Sequence, residues 1–138
     1  MALPTLKQIR VIDAKYRDID MVFAKHPVTN DIVVKTDIAA INSALSNLLL
    51  IDRGEYLFQP MKGAGIRRML FDNITPAVIK ILKEMVKDTI NIYEPRASLE
   101  DVEVFSEANS NQITIKISYV PVTGEDVVTT TVLMERAR

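Results

Sequence analysis

The hydrophobic period of the chain changes at Glu94-Pro95-Arg96. Before this point apolar residues recur every three or four positions, through Val78, Ile79, Leu82, Met85, Val86 and Ile90. After it they alternate, most cleanly in residues 112–120 (QITIKISYV). A period near 3.6 describes a helix with one buried stripe, and a period of 2 describes a strand with one buried face. Succession of the two predicts an α+β fold, with central amphipathic helices followed by a C-terminal antiparallel β-hairpin or meander. Proline cannot continue the helix and pushes the residue before it out of helical geometry. The break therefore sets a carboxylate and a guanidinium on either side of a rigid residue. The planar fork of a guanidinium suits a carboxylate, so such a corner can lock two packed elements together. An E-P-R tripeptide arises readily by chance; its place at the change of period gives it weight.

The rest of the chain follows the same logic. Residues 1–15 form an N-terminal arm without firm pattern. Residues 16–23 alternate in part, with Ile19, Met21 and Phe23 on one side, and 26–31 (HPVTND) read as a turn before a short strand at Ile32-Val33-Val34. Thr36 or Asp37 can cap a first helix carrying Ile38, Ile41, Leu45, Leu48 and Leu49, which should stop near Asp52, before Gly54. Residues 52–65 are a loop holding three of the four glycines, and 66–71 one or two helical turns. Thr75-Pro76 opens the main helix, with threonine as N-cap and proline at the first position, and this helix runs to about Tyr93. Strands are expected at 99–105, 112–120 and 126–135, the last two joined by a turn at 121–125. The expected organisation is one domain over 1–138: the arm, a mostly helical core over 16–96, and a C-terminal sheet over 97–138.

Composition narrows the function classes. The chain has 138 residues, 48% hydrophobic and 25% charged, enough for one domain with a real core. Seventeen Lys and Arg face eighteen Asp and Glu, so no global basic field argues for a nucleic-acid partner. Absence of cysteine excludes disulfides and thiolate zinc sites, and a single histidine, His26, excludes sites needing two imidazoles. No apolar run reaches the roughly 18 residues of a membrane span. The opening residues lack the long apolar segment of a secretory signal, and the expectation is a soluble, cytoplasmic protein without cofactor or metal.

Candidate chemical groups each have a plainer explanation. Glu55, with Asp52 or Asp72, could serve as a glycosidase acid, but nothing in the spacing selects a pair, and a Glu55 that is solvated or paired with Arg53 or Arg67 is the stronger reading. Gly63-Ala64-Gly65 precedes a short helix as a phosphate site would, yet fits no phosphate-loop pattern and reads better as a turn. Lys62, Arg67 and Arg68 form a small basic cluster, and Lys80, Lys83, Glu84 and Lys87 the polar side of the main helix. The final strand, VVTTTVLM, is long and β-branched, with no internal proline or lysine to guard an edge. Either it lies inside the sheet or under the arm, or it recruits a strand from a partner chain.

Several of these segments are familiar together. Asn47-Leu48-Leu49-Leu50, Arg53-Gly54-Glu55, Leu57-Phe58-Gln59-Pro60, Gly63, Gly65 and Leu70-Phe71 resemble the signature of the contractile-tail baseplate wedge family. That family includes phage sheath initiators and a type VI secretion counterpart. The distance to Tyr93-Glu94-Pro95-Arg96 is similar, as is an N-terminal segment of Tyr16-Arg17-Asp18-Ile19-Asp20, Phe23 and His26-Pro27-Val28-Thr29. The resemblance spans residues 16–124. It implies a structural, non-enzymatic protein of the virion tail baseplate, assembled in the host cytoplasm. Six copies would surround the tail close to the tube, contacting other wedge proteins and tail sheath subunits. Its C-terminal sheet would resemble the sheath handshake domain and be completed by sheath arms. Carried over, Glu94, Pro95 and Arg96 would be wedge-docking residues. The sheath-docking strands would carry Ile113, Ile115, Ile117, Tyr119, Val128, Thr130 and Val132. The family also bears a lysozyme-like label, so the alternative is a tail-associated peptidoglycan hydrolase; the resemblance transfers no catalytic residue.

Overall fold

A computed structural model describes residues 15–106, 112–124 and 126–135. The element order is β1 (Arg17–Ile19), β2 (Val34–Thr36), α1 (Asp37–Leu50), α2 (Ile66–Met69), α3 (Pro76–Tyr93), β3 (Ala97–Ser106), β4 (Gln112–Pro121) and β5 (Val128–Glu135). This is the expected α+β architecture, and the change of period at 94–96 is where it turns from helix to sheet. The expected arm up to residue 14, and the parts of the expected sheet at 107–111, 125 and 136–138, lie outside the described residues.

The helix boundaries follow from local chemistry. At the start of α3, the Thr75 hydroxyl accepts the Val78 N–H at 3.3 Å, and Pro76 occupies the first turn, where no amide donor is needed. Leu82, Val86 and Ile90 of its stripe are buried, with Val78 packed alongside. In α1 neither expected cap acts through its side chain. Thr36 makes no capping bond, and Asp37, at φ +44°, turns its carboxylate back onto the Lys15 and Tyr16 amides at 3.1 and 3.2 Å. Ile38 is 46% exposed and leaves the stripe to Ile41, Leu45, Leu48 and Leu49.

Two sheets form. β1 and β2 pair as a three-residue antiparallel ladder, Arg17 opposite Thr36 and Ile19 opposite Val34. The first strand is shorter than its alternation predicts, and the second begins at Val34 rather than Ile32. Residues between them turn through Phe23 and Asn30 at positive φ, with a single bridge from Lys25 to Ile32. The larger sheet has the order β3-β4-β5, all antiparallel. Among the described residues β4 is its centre and β5 is an edge, with no described strand on its far side.

Alternation along β4 buries Ile113, Ile115, Ile117 and Tyr119 completely on one face. With Val102, Val132 and Met134 they form one core with the stripes of α1 and α3 and with Ala64, Ile66 and Leu70. Each fully buried isoleucine contributes on the order of 1.5–3 kcal/mol. The opposite sheet face is open, with Phe105 and Leu133 more than half exposed on either side of Thr114.

Candidate functional site

The corner is built by the end of α3. Glu94 closes the helix by donating its N–H to Ile90 O at 2.9 Å, at φ −127° and ψ 74°, as a residue preceding proline must be displaced from helical geometry. One residue beyond Pro95, the backbone is tied into the sheet. Arg96 O accepts the Val122 N–H at 3.0 Å and Glu94 O accepts the Ala97 N–H at 3.2 Å.

On this frame Arg96 makes the two-pronged pair anticipated for the corner. Its Nε donates to Glu94 Oε1 at 2.6 Å and its Nη2 to Glu94 Oε2 at 2.9 Å. Nη1 reaches Asp18 Oδ2 of β1 at 3.2 Å, and the guanidinium lies 5.5 Å from the centre of the Tyr16 ring. Hydrogen bonding to Glu94 raises the guanidinium pKa further above its ordinary value, against a smaller opposing effect of burial, so its charge is permanent. The corner thus locks helix, sheet and N-terminal hairpin together. The Asp18 and Tyr16 partners were invisible to sequence reasoning, because 78 residues separate Asp18 from Arg96. Exposure differs sharply within the tripeptide: the Glu94 side chain is 7% exposed, that of Arg96 24%, and Pro95 faces solvent.

A cleft of about 430 Å³ opens beside the corner. Ala44, Asn47 and Leu48 of α1 form one wall, Tyr56 and Lys62 of the 52–65 loop another, and Tyr93 to Arg96 with Asp18 the floor. Its two carboxylates, Asp18 and Glu94, both serve the one guanidinium. Behind it the Tyr119 hydroxyl donates to Asn42 Oδ1 at 2.7 Å; burial, and then the Glu94 charge, raise its pKa.

Other candidates resolve into local structure. Glu55 is exposed, does not line the cleft, and accepts the Asp52 N–H at 3.0 Å. His26 Nδ1 accepts the Val28 and Thr29 amides at 3.3 Å each, closing its turn. Gly63, at φ +119°, passes so close to the chain that an added Cβ would lie 2.6 Å from Ile51 O. Ala64 is buried and donates to Leu48 O, so the Gly-Ala-Gly segment packs the loop against α1. Lys83 pairs with Asp101 at 3.3 Å across the α3–β3 contact. Among the described residues no group of three or more His, Asp or Glu is placed to hold a metal, and no helix is long and apolar enough to cross a membrane.

The expected sheath-docking residues divide by strand. Ile113, Ile115, Ile117 and Tyr119 are in the core, and β4 is hydrogen-bonded on both sides, so neither these four side chains nor the β4 backbone faces outward for a partner. On β5, Val128 and Thr130 are half-buried and Val132 is 4% exposed, while one backbone edge has no neighbouring strand among the described residues. The two sheet edges are unlike. β3 carries a register shift between Leu99 and Asp101, acidic Glu100, Asp101 and Glu103, and the packed α3; such features discourage strand pairing. β5 has an unbroken register and no charged residue between Val128 and Met134, and its helix contact, with α1, is smaller.

Three solved structures share the fold. A Geobacter sulfurreducens protein provisionally named a tail lysozyme is 23% identical, with TM-score 0.64 over 71% of this chain and 89% of its own. A chain of the anti-feeding prophage baseplate is 17% identical, with TM-score 0.62 over 89% and 87%. A chain of the type VI secretion baseplate complex is 14% identical, with TM-score 0.60 over 73% and 94%. Among curated proteins no match was found. A family model described as baseplate wedge protein gp25 matches residues 35–124, a span that takes in α1, the glycine-framed loop, the corner and β4. The chain belongs to the gp25 family of baseplate wedge proteins.

Proposed function

We propose that this baseplate protein is a non-enzymatic adaptor that starts sheath polymerisation. The observation that carries the proposal is the β5 edge, uncharged between Val128 and Met134 and without a neighbouring strand among the described residues, set against the guarded β3 edge of the same sheet. A strand from the first sheath ring adds to β5, where main-chain hydrogen bonds supply affinity and alternating side chains set register. The corner docks on the other wedge proteins through Pro95 and the outer side of Arg96, with buried Glu94 holding Arg96 in place. Six copies around the tail, close to the tube, multiply weak contacts into a stable ring in the virion.

The test uses proline at two consecutive positions, Thr129→Pro and Thr130→Pro. On an edge strand successive amides point alternately to the neighbour and to solvent, so one variant breaks the β4–β5 ladder and the other removes an outward donor. The variant that keeps the parental melting temperature should bind wedge proteins and fail to nucleate sheath. Normal nucleation by that variant sinks the strand-addition mechanism. The peptidoglycan-hydrolase alternative draws on the family's lysozyme-like label and on the name of one similar structure, and no arrangement of carboxylates in the cleft favours it.

A further inference from the structure

The 52–65 loop presents an apolar tip: Leu57 is 91% exposed, Phe58 96% and Met61 66%. Large apolar side chains this exposed, next to one another, mark a contact surface more often than a solvated loop. The backbone beneath them is fixed. Gly54 N–H bonds Pro60 O at 2.7 Å, Lys62 N–H bonds Gln59 O at 2.9 Å, and the Glu55 carboxylate caps the Asp52 amide. Gly63 seats the loop against Ile51, and the Lys62 ammonium lies 4.7 Å from the centre of the Tyr56 ring. An aromatic anchor on a pre-ordered loop loses little conformational entropy when it binds, which is the character of an interface hot spot.

We infer that Leu57 and Phe58 are a plug that seats in an apolar pocket, rimmed by carboxylates, on the wedge protein that docks at the corner. The inference rests on the proposed wedge-docking role of Glu94-Pro95-Arg96. Two observations select this occupant. Tyr56 and Lys62, next to the tip, line the same cleft as Pro95 and Arg96, so one partner surface covers both. The segment from Asp52 to Arg68 carries Arg53, Lys62, Arg67 and Arg68 against two carboxylates, in a chain of net charge -1. A locally basic segment that carries an apolar tip complements an acidic rim around an apolar pocket.

The experiment places a p-benzoylphenylalanine photocrosslinker at Phe58 or at Pro95 of the full chain, assembled with the other baseplate proteins and sheath. Crosslinking from both positions to the same non-sheath baseplate protein is the expected result. If Pro95 crosslinks there and Phe58 crosslinks nothing, a sheath subunit or a second copy, the plug is wrong and the corner reading stands. If neither position reaches a wedge protein, both fall. L57S/F58S should melt as the parent does and bind the wedge partner at least roughly 30-fold more weakly. Undiminished affinity overturns the plug. So does tip-dependent binding of the parent chain to phosphatidylcholine–phosphatidylglycerol vesicles, which would assign the loop to an anionic membrane.

Discussion

Arg96 shows how much one side chain can tie together. It is bonded to a glutamate two residues away and to an aspartate 78 residues away, and it rests on an aromatic ring. Removing it leaves the nearly buried Glu94 carboxylate without a counter-charge. Arg96→Met should lower stability by about 2–3 kcal/mol in urea denaturation. Arg96→Lys should recover only part of this, because an ammonium cannot make the two-pronged contact. A loss below about 0.5 kcal/mol, the ordinary range for a surface site, would mean that the corner does not brace the fold. The Glu94–Arg96 pairing was legible in the sequence, since proline restricts the chain between two groups that attract each other. The Asp18 and Tyr16 contacts were not, because local sequence carries no record of which distant residues a fold will bring alongside.

At the scale of elements, the two long helices begin differently although both follow a threonine. Thr75 caps α3 with its hydroxyl, and Thr36 makes no such bond to α1. Thr75→Ala should therefore cost about 1 kcal/mol, while Thr36→Ala should leave the thermal midpoint unchanged. Equal losses in the two variants would contradict this assignment. The rule for α3 was readable because proline and threonine both favour a helix start. For α1 the same rule failed, because Asp37 serves the chain entering β1 instead. Strand alternation likewise told which face of β4 is buried. It could not tell that β4 lies between β3 and β5, since alternation fixes a strand's faces and says nothing about its neighbours.

The whole molecule is a helix-backed sheet with a small hairpin fastened to it. Polar fasteners run from Arg96 to Asp18 and from Lys35 to Ser43 of α1 at 2.9 Å, and Lys35 also pairs with Asp20 at 2.9 Å across the hairpin itself. The Lys35 hydrogen bond lowers the Asp20 pKa below its ordinary 3.8. A carboxylate whose folded pKa is depressed stabilises the fold above its unfolded pKa, and that contribution is lost as pH falls through the folded value. Acidification below the ordinary carboxylate range should accordingly loosen the hairpin before the sheet. Hydrogen exchange should quicken at Ile19 and Val34 while Ile115 and Ile117 stay protected, and Asp20→Asn should show the loosening already at neutral pH. Simultaneous exchange of hairpin and sheet would show the two to be one cooperative unit.

Sequence alone determined the class of the fold, the helix-to-sheet corner, the buried faces of α3 and β4, and the family resemblance that the match over residues 35–124 upholds. These rest on local period, proline geometry and the order of short motifs, all of which are properties of neighbouring residues. Tertiary structure decided the rest. Among the described residues it put β4 at the centre of the sheet and β5 at an edge, tied the Arg96 charge to two elements, and left Leu57 and Phe58 in solvent. Edge, ion partner and exposure are set by packing between segments far apart in the chain, where each residue's surroundings depend on the fold as a whole.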